Sequence, residues 1–133
     1  MTVRVLVVDD EPDVEMLFRQ RFRREEREGL YTLAFALSAV AALARLDGAS
    51  GEKIILLVFD INMPGMSGLD LLPIVKTCRP DLPVFMISAY GDADTVATAL
   101  ARGADEFLTK PLDFPKLKQD IMAVMTDASG GNG

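Results

Sequence analysis

Asp9, Asp10, Asp60 and Lys110 are the residues whose types and positions are suited to chemistry, because each stands at the end of a strand-like run. Val3-Arg4-Val5-Leu6-Val7-Val8 runs into Asp9-Asp10, Ile54-Ile55-Leu56-Leu57-Val58-Phe59 into Asp60, and Asp105-Glu106-Phe107-Leu108-Thr109 into Lys110-Pro111. An open parallel sheet gathers its ligands at the carboxyl ends of its strands. Such a sheet would bring three carboxylates and one ammonium to a single edge. Carboxylates about 4 Å apart repel by roughly 4 kcal/mol per pair at an effective dielectric of about 20, a cost that a hard divalent cation removes. The pattern therefore points to a metal ion held by oxygen, with one carboxylate left to act.

The elements needed to hold these residues in place alternate between strand and helix. The first strand covers about Val3 to Val8. A helix starting at Pro12 carries Val14, Leu17, Phe18 and Phe22 on one face and is closed by Gly29. A second strand spans Tyr31 to Leu37, and Ser38 caps a helix with Val40, Leu43 and Leu46 inward. Ile54 to Phe59 is continuously apolar, as a strand buried on both faces must be. Ser67 and Asp70 form a capping-box-like start for the third helix. Val84 to Ile87 is a fourth strand, Asp92 to Arg102 a fourth helix ended by Gly103, and Glu106 to Thr109 a fifth strand. Asp113 caps a fifth helix with Leu117, Ile121 and Val124 inward. Five such units make an α/β protein with a doubly wound parallel sheet. Residues 1–127 form one domain, and the small, Gly-rich stretch 128–133 is a flexible tail or the start of a linker.

Composition narrows the function. The chain has 133 residues, half of them apolar, enough for a core without disulfides. Cys78 is the single cysteine, which suits a reducing compartment. A net charge of -6 argues against direct nucleic-acid binding by this chain. Its apolar runs fall well short of the roughly 20 residues of a membrane span. The N-terminal one stops at Asp9-Asp10-Glu11, so it does not read as a signal peptide, and a cytoplasmic location is expected. The chain contains no histidine. Histidine general bases and metal ligands are thereby excluded, leaving magnesium, manganese or calcium as the suitable ions.

Val7-Val8-Asp9-Asp10-Glu11-Pro12, the loop Phe59-Asp60-Ile61-Asn62-Met63-Pro64-Gly65-Met66-Ser67-Gly68, Ile87-Ser88-Ala89 and Phe107-Leu108-Thr109-Lys110-Pro111 together resemble the receiver domain of two-component response regulators. Each motif is weak by itself. Their order and spacing make the resemblance specific, and it covers nearly the whole chain. It implies a flavodoxin-like (βα)5 fold with strand order 2-1-3-4-5. By the same resemblance Asp60 accepts a phosphoryl group from a sensor histidine kinase. An aspartate carboxylate is ionised at neutral pH and needs no general base, so the lack of histidine costs the mechanism nothing. The resemblance implies Mg2+, or Mn2+, held by Asp10, Asp60 and the backbone carbonyl of Asn62, with Asp9 acting through water. Lys110 then pairs with a phosphoryl oxygen, with a cis peptide before Pro111.

The implied output is a switch in which the hydroxyl of Ser88, beside Ala89, moves inward and the ring of Phe107 fills the space it leaves. Asn62 and Tyr90 stand where receivers tune the lifetime of the phosphoryl group. The usual residues at the switch are Thr and Tyr. Ser88 keeps the hydroxyl and Phe107 keeps the ring, but Phe107 loses the hydrogen bond a Tyr would make. The surface of helix 4, strand 5 and helix 5 would meet a downstream protein target, as a monomer or a phosphorylation-dependent dimer, with no membrane partner.

Other readings of the same residues are weaker. An aspartate-nucleophile phosphatase of the haloacid dehalogenase type usually has an acid two residues after the nucleophile, where this chain has Asn62. A pseudo-receiver would not need the acids and the lysine intact. A flavodoxin would carry a hydroxyl- and Gly-rich loop after the first strand. The expected protein is a signalling domain that assists only its own phosphorylation and dephosphorylation: a single-domain regulator in the favoured reading, with a relay intermediate and the receiver piece of a longer protein as the alternatives.

Overall fold

The computed structural model describes residues 3–46, 53–63, 65–89 and 91–130. Five parallel strands form one sheet in the order β2-β1-β3-β4-β5, with β1 at Val3–Val8, β2 at Thr32–Ala36, β3 at Lys53–Asp60, β4 at Val84–Ser88 and β5 at Glu106–Thr109. The helices are α1 (Pro12–Arg21), α2 (Arg23–Arg27), α3 (Ala39–Leu46), α4 (Gly68–Cys78), α5 (Ala93–Ala101) and α6 (Phe114–Gly130). The doubly wound sheet and its strand order are those expected. No helix among the described residues is long and apolar enough to cross a membrane.

Each face of the sheet carries its own core. Leu6, Val8, Leu57, Phe59, Val84 and Met86 point toward α3, α4 and α5, where Ala42, Leu71, Leu72, Val75 and Ala99 meet them. Val5, Val7, Leu56, Val58, Phe85 and Ile87 point the other way, onto Phe18 and Phe22 of the first helical segment and its break, and onto Leu117 and Ile121 of α6. The period of two along each strand produces this division. β3 contributes to both cores, which is why its sequence is continuously apolar.

The caps explain where the helices start and stop. Ser38 Oγ accepts from the Ala41 N–H, Ser67 Oγ from Asp70, Asp92 Oδ2 from Thr95 and Asp113 Oδ1 from Lys116. After α2 and after α5 the chain turns through a glycine with positive φ, Gly29 at 75° and Gly103 at 110°. At both places the crossed backbone bonds of a Schellman motif are present: Leu30 N to Glu25 O with Gly29 N to Glu26 O, and Ala104 N to Ala99 O with Gly103 N to Leu100 O.

Three expectations need correction. The first helix does not run unbroken to Gly29. It breaks at Phe22 (φ -107°, ψ 12°), whose ring stacks on Phe18 with centroids 5.6 Å apart and is fully buried. The expected fourth and fifth helices are therefore α5 and α6. The inward residues of α3 are Ala39, Ala42 and Leu46, with Leu43 packed beside them, whereas Val40 is 75% exposed. The small alanines let α3 lie close to the sheet, and Leu17 on α1 is likewise exposed. Finally, α6 continues through Ala128 to Gly130, so residues 128–130 are helical where a tail was expected. Residues 131–133 lie outside the described residues.

Candidate functional site

The carboxyl ends of β1, β3, β4 and β5 meet at one edge. Asp9 is fixed there by its own N–H, which donates to Ala36 O at the end of β2 (3.1 Å), and its Oδ1 accepts from the Glu11 N–H (3.0 Å). Asp60 is the last residue of β3 and is only 3% exposed; Asp9 is 7% exposed. Both are charged groups at positions that would ordinarily be apolar. Asp60 Oδ1 accepts from the Asn62 N–H at 2.7 Å, and Oδ2 from Lys110 Nζ at 2.6 Å. Lys110 is placed by its own backbone: its N–H donates to Ser88 O at 2.9 Å, tying the end of β5 to the end of β4. A cis peptide joins Lys110 to Pro111.

The loop after Asp60 is held as tightly. Ile61 N donates to Ile87 O, and Gly68 N donates to Ile61 O, each at 2.9 Å. A Cβ on Gly68 would lie 2.8 Å from Ile61 Cα and 2.9 Å from Asp60 O, so only glycine lets α4 begin this close to Asp60.

Ser88 ends β4 and is buried. It pairs in register with Thr109, as Met86 pairs with Phe107. Phe107 is partly buried against the core under α5, on the same face of the sheet as Met86. Ala89 and the side chain of Asn62 are exposed at the rim, and Tyr90 lies outside the described residues.

Asp9, Asp10 and Glu11 each offer a carboxylate oxygen, and these oxygens lie within 4.8 Å of one another. An all-oxygen set of this kind fits a hard divalent cation such as Mg2+. It shares Asp9 and Asp10 with the ligand set implied by the resemblance, which also includes Asp60 and the Asn62 carbonyl. In this structure both oxygens of Asp60 are already bonded, to Lys110 and to Asn62 N.

The charges act on one another. Burial pushes the Asp9 carboxyl up to about 6, against the Glu11 N–H and the Lys110 ammonium, and the neighbouring Asp60 adds to the rise. Burial pulls Lys110 down, but its bond to Asp60 and the negative charges of Asp60, Asp9 and Glu11 outweigh that and hold it above the ordinary lysine value. Asp9 thus binds its proton more tightly in the fold than in the unfolded chain. Its stabilising contribution is full below about pH 4 and is lost as pH rises through about 6. Asp9→Asn, which keeps the acceptor for Glu11 N–H without the charge, is expected to raise the melting temperature at about pH 7.5 and leave it almost unchanged at about pH 4. Thermal melts across that window in chelator check this, and equal shifts at both ends would refute it.

An open, doubly wound α/β domain with an acid–lysine pocket at its carboxyl edge is the class that fold and site define. Residues 5–122 match the model of the response regulator receiver domain. The chain is 37% identical to the response regulator protein PilR of Pseudomonas aeruginosa, over 92% of this chain and 26% of that relative. It is 38% identical to the nitrogen assimilation regulatory protein NtrX of Azorhizobium caulinodans, over 85% of this chain and 24% of that one. The chain thus spans about a quarter of the length of these relatives. Among solved structures, a CheY-like response regulator receiver domain protein from Methanospirillum hungatei superimposes with a TM-score of 0.83 at 26% identity, covering 98% of this chain and all of the other. The response regulator protein TrrA of Thermotoga maritima, in complex with Mg2+ and BeF, gives 0.75 at 28% identity over 93% and 99%. This chain belongs to the response regulator receiver domain family of two-component systems, in which phosphorylation and Mg2+ binding are general.

Proposed function

We propose that Asp60 is the phosphoacceptor of this receiver, that a sensor histidine kinase is its phosphodonor, and that phosphorylation alters the α5–β5–α6 surface for a downstream protein. The observation that carries this reading is the buried Asp60 carboxylate with Lys110 Nζ on one oxygen and a backbone N–H on the other, beside a second buried acid. An oxygen of Asp60 forms the new bond to phosphorus while the bond from phosphorus to the donor's imidazole nitrogen breaks. The Asn62 N–H fixes the rotamer of the attacking carboxylate. Once converted to the acyl phosphate, a mixed anhydride, the Asp60 carboxylate loses its own charge, and Lys110 can transfer its bond to a phosphoryl oxygen as a point charge.

Asp9, Asp10, Asp60 and the Asn62 carbonyl, with Glu11 adjoining, would hold Mg2+ or Mn2+, which neutralises phosphoryl oxygens during in-line transfer. Ser88 and the adjoining Ala89 N–H then meet the phosphoryl group, and Phe107 moves into the space vacated. Asn62 and Tyr90 set how fast water reaches it. No acid follows Asp60 at the position a phosphatase would use, so turnover of an external phosphate ester is not expected, and the chain acts as a signalling domain and not as an enzyme. This reading places residues 1–127 in the cytoplasm as one receiver domain.

Intact mass after incubation with acetyl phosphate, with and without Mg2+, tests the reading. Gain of one acid- and base-labile phosphoryl group that requires Mg2+ supports it. No gain, from either acetyl phosphate or a histidine kinase, overturns it. Lys110→Ala is expected to retain phosphoryl uptake, slowed roughly tenfold, while losing the transmitted change. Amide hydrogen exchange of α5 before and after phosphorylation reads this, and a wild-type response in the variant would remove Lys110 from the relay.

A further inference from the structure

Helix α4 contains Pro73, which has no N–H. The carbonyl four residues earlier, that of Leu69, therefore has no donor from its own helix. The donor comes from a different helix. Arg102, the C-cap of α5, places Nη1 2.8 Å from Leu69 O and 3.7 Å from Asp70 Oδ1.

A reciprocal contact runs from α4 toward the start of β5. Lys76 Nζ donates to Asp105 Oδ2 (3.1 Å) and to Leu82 O (2.9 Å), and Asp105 Oδ2 also accepts from the Val84 N–H at 2.8 Å. The Lys76 stem passes beside Gly103, where a Cβ would lie 3.2 Å from Lys76 Cγ. Arg102 thus fastens the C-terminal end of α5 to α4, and Lys76 ties α4 to the α5–β5 connection at Asp105.

The other end of α5 is held differently. Its cap, Asp92, bonds to Thr95 within the helix's own first turn, and the loop before it leads directly back to Ser88. The only buried residue of α5 is Ala99, near its C-terminal end. Meanwhile the first turn of α4, which receives Arg102, is seated on the loop after Asp60 through Gly68.

We propose that Arg102 is a positioning residue that makes the C-terminal end of α5 a pivot, joined through the Leu69 carbonyl to the helix that begins at the phosphoacceptor loop. Displacement of the Ser88 loop then swings the N-terminal end of α5 about Arg102. That swing strains the Arg102–Leu69 bond, which has its 2.8 Å length where Lys110 contacts Asp60 directly, so Arg102 favours that arrangement over the phosphorylated one. This rests on the roles proposed for Asp60 and Ser88.

The test uses the full chain with Arg102→Met, Pro73→Ala and the pair combined. Arg102→Met keeps the stem and removes the donor. Pro73→Ala restores an N–H to the Leu69 carbonyl from within α4. In Arg102→Met, ligand-free amide exchange in the last turn of α5 is expected to quicken about threefold to fivefold, and beryllofluoride with Mg2+ to bind more tightly by a similar factor. In the combined variant the stability lost with Arg102 should return, while both of those changes persist. If Arg102→Met only lowers stability, Pro73→Ala repairs it, and α5 exchange and beryllofluoride affinity stay at wild type, Arg102 merely satisfies a carbonyl and the pivot is wrong. Weaker beryllofluoride binding in Arg102→Met also overturns it. If the wild type takes no beryllofluoride, the phosphoacceptor reading fails, and ligand-free exchange in α5 still decides whether the tether exists.

Discussion

Asp60→Asn is expected to abolish phosphoryl uptake, to below about 1% of the wild-type rate with acetyl phosphate and Mg2+. The amide has nearly the same volume and keeps a carbonyl oxygen for the Asn62 N–H, so Ile61 and Asn62 keep their places. What disappears is the anionic oxygen facing Lys110, which is the partner of the ammonium and, in the proposed reading, the nucleophile. The fold should tolerate the change. Asp60 is one of the charges that raise Asp9, so its loss lets Asp9 ionise more readily, while Lys110 keeps Asp9 and Glu11 nearby. A thermal melt close to wild type with no mass gain is the expected pair of results. A labile phosphoryl group on the variant at wild-type yield would move the nucleophile elsewhere in the acidic cluster.

Gly68→Ala is the substitution of a single methyl expected to do most damage. The added carbon would sit 2.8 Å from Ile61 Cα and 3.0 Å from a ring carbon of Phe59, and both neighbours belong to the core strand or its immediate continuation. Forced overpacking of this kind costs about 1–3 kcal/mol, which for a domain of this size lowers the melting temperature by about 3–12 °C. The cheapest relief is to slide α4 away from the loop, which stretches the Gly68 N to Ile61 O bond and lets Asp60 drift from Lys110. Phosphoryl uptake should therefore fall along with stability. Gly65→Ala is the natural comparison: its φ is +80° but nothing lies within 4 Å, so it carries backbone strain of about 1 kcal/mol without a clash. Equal melting temperatures for the two variants would show that the close approach at Gly68 is not limiting.

The candidate site was legible because the positions that matter end strands, and a strand end is marked by an apolar run stopping at a charge. Asp9, Asp60 and Lys110 were found this way, and the structure brings them together. Caps were legible too, since Ser38, Ser67, Asp92 and Asp113 act through their own next turn. Features set by distant partners were not. The break at Phe22 depends on Tyr31 and Phe114, which pack against its ring from just before β2 and from α6. The face of α3 was misread because alanines carry too little hydrophobic signal to compete with Val40, although their small size is what suits them to the sheet. Arg102 gave no local sign at all, because the carbonyl it serves lies 33 positions away.

The two cores also differ in mechanical character. On the α1 and α6 side, Phe18, Phe22, Tyr31 and Phe114 interlock, with Phe18 and Phe22 stacked in parallel and Phe114 edge-on to both. Rings packed this way have few alternative arrangements of similar energy. On the opposite side α5 rests on one small side chain, Ala99, beside the ring of Phe107. Of the two helices that flank β5, α6 is seated by Phe114, Leu117 and Ile121 and α5 by one methyl, so α5 is the one whose displacement gives up the fewest buried side chains.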